Sequence, residues 1–562
     1  MSFFSEASLA MIPSGYKTSK VYSAIPTSGD GDLTFSRSND TATRVGPDGL
    51  IEKVRTNLVT YSNTFSNADW VVDQVTKTTG QTDPNGGTTA VLLTSTNTSS
   101  TYMYQTKAGL GCLSIYAKVG TRSTFSLIPT GYNNGAFFDL SSVTATASGI
   151  GSLAKIESVG GGWFRCSVAT SSSTDFIVSL SNIAGTDSVI SDTMTFAFAQ
   201  GETGDIATPY IATTSAAVSV GPVANVPRLD YLDSSSPRLL LEPQRTNLVT
   251  YSEQINTGFT TSQGGTGLLP VITANNAISP DGYQNADIIV FDAGAGTTSS
   301  DISAIRQVFG GTTATYTCSF YAKTPSGTAQ IQVRIDGSSY EKFTITNEWQ
   351  RFTLTRALTG TSNQLDFAIR RGLNEPMNAS ATIQLWGVQV ELGAYATSYI
   401  PSLGASVTRG ADAASKTGIS SLIGQTEGTI FIDVNLDTVS AQTNDPVLIY
   451  LRGTNVETYI EIIDNGGVSS LHFNSGVQAT IDAPAGSVIA GRNKFAFTYK
   501  QNDFALYLNG VLIGTDTSGT VGAQDEFGFQ YNNSAFEGQQ KVSQALVFPT
   551  RLSNDDLAAL TA

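Results

Sequence analysis

At roughly 150 residues per domain, a chain of 562 residues predicts three or four domains and ample buried core. Charged residues make up only 14%, so the exposed surface must be mostly Ser, Thr, Asn and Gly. Thirty-one basic against 46 acidic residues leave a net charge of -15, which repels a phosphate backbone and argues against nucleic acid, while one histidine and three cysteines remove most metal-site and nucleophile chemistry.

In chain order, the first stretch, MSFFSEASLAMIPSGYK, lacks a basic region before its short apolar run, so no secretory signal is expected. No apolar run approaches the roughly 20 residues that cross a bilayer, and neither end carries a lipidation motif, so a soluble chain without membrane insertion is expected. Cys112, Cys166 and Cys318 are odd in number and widely spaced, which suits small buried side chains in a reducing cytoplasm. Asp30-Gly31-Asp32 reads as a solvated turn, because Thr41 stands where a calcium loop wants a bidentate glutamate. TATRVGPDGLIEKV (Thr41 to Val54) centres a turn on Pro47-Asp48-Gly49 and predicts an entry hairpin ahead of Arg55.

From Arg55 onward the chain carries a duplicated module. RTNLVTYS runs from Arg55 to Ser62 and again from Arg245 to Ser252. SIYAK (Ser114 to Lys118) recurs as SFYAK (Ser319 to Lys323), Trp163-Phe164-Arg165 as Trp349-Gln350-Arg351, and Gln200, Glu202 and ATPYI (Ala207 to Ile211) as Gln389, Glu391 and ATSYI (Ala396 to Ile400). The order is collinear, with length changes falling between the anchors, where loops tolerate them. Two homologous modules are placed at 55–220 and 245–410. Period-two patterns such as TYTCSFYAK and IQLWGVQVELG, parted by Gly, Asn, Ser and Thr clusters and without sustained helical periodicity, predict sandwiches or jelly rolls. Residues 221–244, with NVPRLDYLDSSSPRLLLEP (Asn225 to Pro243), form a proline-marked linker and second entry hairpin.

A third domain is expected over 417–562. GTIFIDVNLD from Gly428 predicts a half-buried strand with Ile430, Ile432, Val434 and Leu436 on one face. NKFAFTYKQNDFALYLNGVLIGT predicts two more strands and a type I′ hairpin at Asn509-Gly510. Ser553 is placed to cap a final helix with Asp555 and Asp556 in its first turn.

The strand FTYKQNDFALYLNGVLIGT followed by LSNDDLAAL resembles the concanavalin-like (laminin G-like) lectin and glucanase sandwich. The repeats, with YTCSFYAK and a later strand opening on Trp, are similar to carbohydrate-binding-module jelly rolls. The whole arrangement, with IPSGYK near the start, TATRV and GLIE before the first copy, LLLEPQRTNL before the second and a lectin-like end, resembles virion fibre and appendage proteins of tailed bacteriophages, the crAss-like group foremost. The fold class is therefore all-β: tandem β-sandwiches, two jelly-roll-like and one concanavalin-like, behind an N-terminal segment (1–54) that the resemblance makes a virion-docking element.

Glycan binding needs an exposed aromatic face with convergent polar groups. Trp163 and Arg165 share one strand face, opposite Phe164, Cys166 and Val168; Trp349 and Arg351 repeat this opposite Phe352 and Leu354. If the Phe side is inside, each Trp lies outside beside an arginine, stacked with it or open to a sugar. Stacking is favoured, and Trp386, which replaces Ala197, is expected to be a core residue or a site differing between copies. In the third domain Tyr507 and Asn509, with Tyr450, Tyr459 and Tyr531, are the carbohydrate-binding candidates. His472 is expected to be a lone polar face residue. No catalytic residue is assigned, since Glu461 and Asp464, three apart on a strand, point to opposite faces. No GxxxxGK or GxSxG motif stands out, and no metal or cofactor is expected.

The expected protein is non-enzymatic: a virion head or tail fibre or appendage, made in the host cytoplasm and displaying glycan-binding sandwiches toward the host surface. Its expected partners are other virion proteins, through the N-terminal segment, and host surface glycans, and its expected state a homotrimer built on sandwich faces or that segment. The alternatives are a polysaccharide depolymerase tailspike and a purely architectural head, collar or tail component.

Overall fold

The computed structural model describes residues 3–335, 339–373, 377–439, 446–463, 466–530 and 538–562. Antiparallel sheets dominate, with a single-turn helix at Ile255–Gly258 and a longer one at Asn554–Thr561. The chain forms two compact units, one of Val54–Gly221 and one of Met1–Lys53 together with Pro222–Ala562.

Val54–Gly221 is a sandwich of two six-stranded sheets around Leu113, Ile115, Phe125, Phe138, Val178 and Phe196. Period-two alternation decides which side chains point in: on Tyr102–Thr106, Met103 and Gln105 are buried while Tyr102 and Tyr104 are half-exposed. The unit starts and ends on one short ladder, Arg55–Asn57 against Val218–Val220, so the chain enters and leaves side by side.

The second copy repeats this with two five-stranded sheets and the ladder Arg245–Asn247 against Val407–Arg409. The first copy adds a hairpin whose strands, Thr144–Ser148 and Gly151–Gly160, extend one sheet each. The repeated residues are a buried polar framework. The Asn57 amide donates to the carbonyls of Ala199 and Ile211 and accepts from the amides of Val59 and Gly201. Asn247 does the same with Val388, Ile400, Val249 and Val390. Gln200 and Gln389 each donate to the glutamate two residues on and accept from the amide of Ile211 or Ile400. These groups satisfy irregular backbone at the sandwich ends, where no ladder does.

The rest of the second unit is a larger sandwich of one eight-stranded and one nine-stranded sheet around Ile430, Ile432, Phe495, Phe497, Leu506 and Val547. Of residues 1–54, expected to stand apart as a docking segment, the strands Leu9–Met11 and Leu33–Ser36 are built into this sandwich. Leu9–Met11 pairs with the strand Gln540–Phe548, and Leu33–Ser36 pairs with Ala413–Thr417. The entry hairpins are also reassigned. The first, Thr43–Val45 with Ile51–Lys53, packs Val45 and Ile51 on the second copy rather than the first. The second, Arg228–Asp230 with Arg238–Leu241, extends the eight-stranded sheet by pairing with Gln540–Phe548.

A buried ionic cluster ties these segments together. Arg37, Arg228, Arg409, Glu242 and Asp412 have side chains with no exposure. Arg37 pairs with one oxygen of Asp412 at 3.0 Å and Arg228 with the other, while Arg228 and Arg409 reach the same Glu242 oxygen at 2.7 and 2.8 Å. Burial alone would raise the Glu242 carboxyl, but Arg409 and Arg228 override it and hold it well below the usual carboxylate range.

The strand Glu427–Leu436, expected to be half-buried, is buried on both faces. Its isoleucines face the sandwich core, while Phe431 packs with Leu557 and Leu560 of the final helix. That helix is capped as expected, the Ser553 hydroxyl accepting from the Asp556 amide at 3.2 Å, and the Asn509-Gly510 turn has the expected positive φ of 49° and 83°. Asp32, expected to be solvated, is mostly buried and braces its turn by accepting from the Ser23 amide and Lys20.

His472 is a core residue rather than a polar face residue. The register pairing Thr458 with His472 turns its ring inward, parallel to Tyr499 at 5.8 Å and against Phe504. Its Nδ1 pairs with the Thr458 hydroxyl at 2.8 Å, and burial pushes its pKa down from 6.5 to about 4. The unfolded chain therefore takes up a proton that the folded one refuses between those values, so stability falls as pH drops from 6.5 to about 4. His472→Gln is expected to remove about 3 kcal/mol of that acid sensitivity. Denaturant unfolding of both proteins at pH 7.5 and 4 checks this, and equal pH slopes would contradict it.

Candidate functional site

The sequence-derived candidates lie where the fold uses them. In both copies the Phe side faces the core. The expected Trp-Arg stacking is replaced by two other pairs, because cross-strand neighbours meet rather than next-but-one residues on a strand. Lys118, directly opposite Trp163, sits 6.0 Å over its ring, and Arg165 sits 5.8 Å over the ring of the opposed Tyr116. The second copy repeats both pairs, Lys323 over Trp349 at 5.3 Å and Arg351 over Tyr321 at 5.5 Å. Arg351 also donates to the Thr397 carbonyl at 2.6 Å, as Arg165 does to the Thr208 carbonyl. These arginines belong to the framework.

Trp386 is fully buried. Lys53, from the first entry hairpin, lies 5.5 Å over its ring and is held by Glu253 and Asp281, each at 2.8 Å. Burial would lower the Lys53 ammonium, but the two carboxylates reverse this and raise it. The first copy solves the same position differently. Where the second has Trp386-Gly387, with Gly387 at φ 62°, the first has Ala197-Phe198, with Phe198 at φ 53°. Both lie at a register shift in the same ladder, so an aromatic displaced by one residue still fills the outer face, at the cost of a strained backbone in Phe198.

In the C-terminal sandwich Tyr507 is buried beneath the final helix, and Asn509 holds its turn by accepting from the Lys494 amide at 2.8 Å. Tyr531 and Asp464 lie outside the described residues. Tyr450 and Tyr459 face each other across adjacent strands. Beside Tyr450 opens a groove of about 500 Å³ on the outer face of the nine-stranded sheet, lined among others by Thr34, Ser36, Ser415, Arg452, Glu526 and Gln530. The Tyr450 ring lies across Gly528, where a Cβ would stand 2.5 Å from its hydroxyl oxygen. That hydroxyl donates to Glu526 at 3.0 Å, and burial together with Glu526 raises its pKa, keeping it protonated. Arg452 sits 5.9 Å over the same ring and pairs with Glu457 at 3.3 Å and Glu526 at 3.9 Å.

The groove thus offers a guanidinium, a carboxylate, a tyrosine and several hydroxyls, a set that exchanges hydrogen bonds with a polyhydroxylated ligand. Sequence reasoning finds Tyr450 and misses Thr34, Ser36, Arg452 and Glu526. These residues come from strands nearly 500 positions apart, joined only by a register that no local pattern encodes.

No protein-family model and no curated protein matches the chain. Solved structures match about a quarter of it. A carbohydrate-binding module of a Ruminococcus gnavus sialidase, bound to α2,3-sialyllactose, is 22% identical over 25% of this chain and 84% of its own, with a TM-score of 0.21. Domain 4 of a Geobacillus stearothermophilus arabinanase, with arabinotriose, is 14% identical over 27% and 73%, at 0.21. The enzymatically active domain of tailspike protein 4 of bacteriophage CBA120 is 15% identical over 26% and 21%, at 0.19. These likenesses concern β-sandwich fold alone.

Proposed function

We propose that this chain is a non-catalytic attachment protein of a tailed-bacteriophage particle, a fibre or appendage whose sandwiches bind glycans at the host surface. The observation that carries the glycan reading is the Tyr450 groove, with its ring, Arg452 and hydroxyl lining. Weak contacts of this kind become effective by repetition on a multivalent particle. The particle assignment rests on the resemblance of the whole chain to virion appendages. A trimer is part of the proposal, and mass measurement giving only monomer would end it.

Arg452→Ala and Tyr450→Phe are expected to weaken binding of the best glycan-array ligand about tenfold or more, with unchanged thermal unfolding. Sugar release from host polysaccharide, abolished by one acidic substitution, would establish a depolymerase instead. A blank array at high concentration of folded protein, with particle assembly lost on deletion, would establish an architectural component.

A further inference from the structure

The two copies share a framework and differ in one outward row. Gln105 and Gln307 occupy the same place, each bonding the equivalent threonine of the repeated octapeptide, Thr60 or Thr250. They align the residues before them, Tyr104 and Arg306. In the first copy Tyr104 pairs with Ile177 and Ile177 with Ile128. In the second the same row reads Arg306, Asp366, Arg334. An apolar row suffices for the fold, so the charged one answers to something else.

Asp366 is fully buried and anchors the group. One of its oxygens accepts from Arg334 and from the Tyr340 hydroxyl, each at 2.8 Å, and Arg334 lies 4.6 Å over the Tyr340 ring. Arg306 stays 3.6 Å from the other oxygen, too far for a hydrogen bond, and its Nε is buried without a partner among the described residues. Arg370, 5.9 Å from the same ring, donates to the Ser299 carbonyl at 2.6 Å. Arg306 and Arg334 thus share one carboxylate, with Arg370 beside them against the same Tyr340 ring, so among the described residues guanidinium outnumbers carboxylate in this group, on a chain whose total charge is -15. Ile302, Ala304, Ala368 and Tyr340 form a small apolar cluster on the same face.

We infer that this face binds a carboxylate-bearing sugar, with Arg306 and Arg370 taking the carboxylate and Asp366 holding Arg334 and Tyr340 in place. Guanidinium forks match a planar carboxylate in two-pronged fashion. The negative total charge repels long polyanions at a distance, which favours single acidic residues over sulfated polymers or nucleic acid. The inference rests on the glycan-binding reading but concerns a site separate from the Tyr450 groove.

The test titrates the full chain, by calorimetry or ligand-observed NMR, with tri-galacturonate, its methyl ester and a sulfated galactose trisaccharide. Tri-galacturonate is expected to bind at least about tenfold more tightly than the ester, and Arg306→Gln with Arg370→Gln is expected to abolish that difference without shifting thermal unfolding. The single variants, each keeping one fork, are expected to lose part of the preference, which guards against a double variant that misfolds. Equal binding of acid and ester, or a preference untouched by the variants, overturns the inference, and preference for the sulfated sugar overturns the carboxylate assignment. If neutral glycans still bind and respond to Arg452→Ala, the glycan reading stands while this site falls; if no sugar binds anywhere, both fall.

Discussion

Asp412→Ala is expected to destabilise the unit of residues 1–53 and 222–562 by about 3–5 kcal/mol. The loss comes from what is left behind. Arg37 loses its carboxylate, Arg228 keeps only Glu242, and the Glu242 amide loses the acceptor it meets at 3.1 Å. Each of these groups is sealed from water, so nothing replaces the missing charge. Calorimetry resolving two transitions reads the effect, with that of residues 54–221 unmoved. A shift below about 1 kcal/mol would show that buried water or relaxation makes up the loss. Acid acts on the same cluster: the folded carboxyl of Glu242 lies below its unfolded value of 4.5, so its contribution is present above that pH and is lost as pH falls further.

The second large effect separates the duplicated modules. Asn57→Ala removes four buried hydrogen bonds, and Asn247→Ala removes their four counterparts. At roughly 1 kcal/mol net for each bond, more where an amide is left unsatisfied, each substitution is expected to cost about 3–5 kcal/mol. Asn57→Ala should lower only the transition of residues 54–221, and Asn247→Ala only that of the other unit. Both losses in one transition would mean that the units unfold together. The paired ladder of Arg55 with Val220 leads to a companion expectation. Residues 54–221 expressed alone should fold, and the remaining chain, with Lys53 joined to Pro222 by a short flexible link, should keep its own transition.

Much of this fold is legible in the sequence, for physical reasons that can be named. The octapeptide repeat stands out because Asn57 and Asn247 each have a fixed set of four backbone partners that no other side chain satisfies. The hairpin at Asn509 and the Ser553 cap are readable because turn and cap chemistry is local. The hairpins at 41–54 and 225–243 find neighbours other than the expected ones because strand pairing is decided by long-range register. Hydrophobic alternation puts Leu471 and Phe473 inside and His472 outside, whereas the register with Val456–Ile463 puts Thr458 and His472 in the core. Trp163, Arg165, Trp349 and Arg351 are found where alternation puts them, but alternation is silent on whether an outward face is covered. Trp386 is hidden by Lys53, more than 300 residues away in sequence. The charged row of Arg306, Asp366 and Arg334 has a signal available, the difference between aligned copies, which a search for identities passes over.

The pairing of Leu9–Met11 with Ala545–Val547 also sets a timetable. At synthesis rates of about 5–20 residues per second, the first strand waits on the order of half a minute to two minutes for its partner to leave the ribosome. Residues 54–221 form a compact unit of their own and can close within that interval. Leu33–Ser36 waits only for Ala413–Thr417, whereas Leu9–Met11 stays unpaired until Gln540–Phe548 arrives. The nascent chain therefore carries an unpaired apolar strand while residues 12–539 are made, and neighbouring copies on one message meet while those strands are still open.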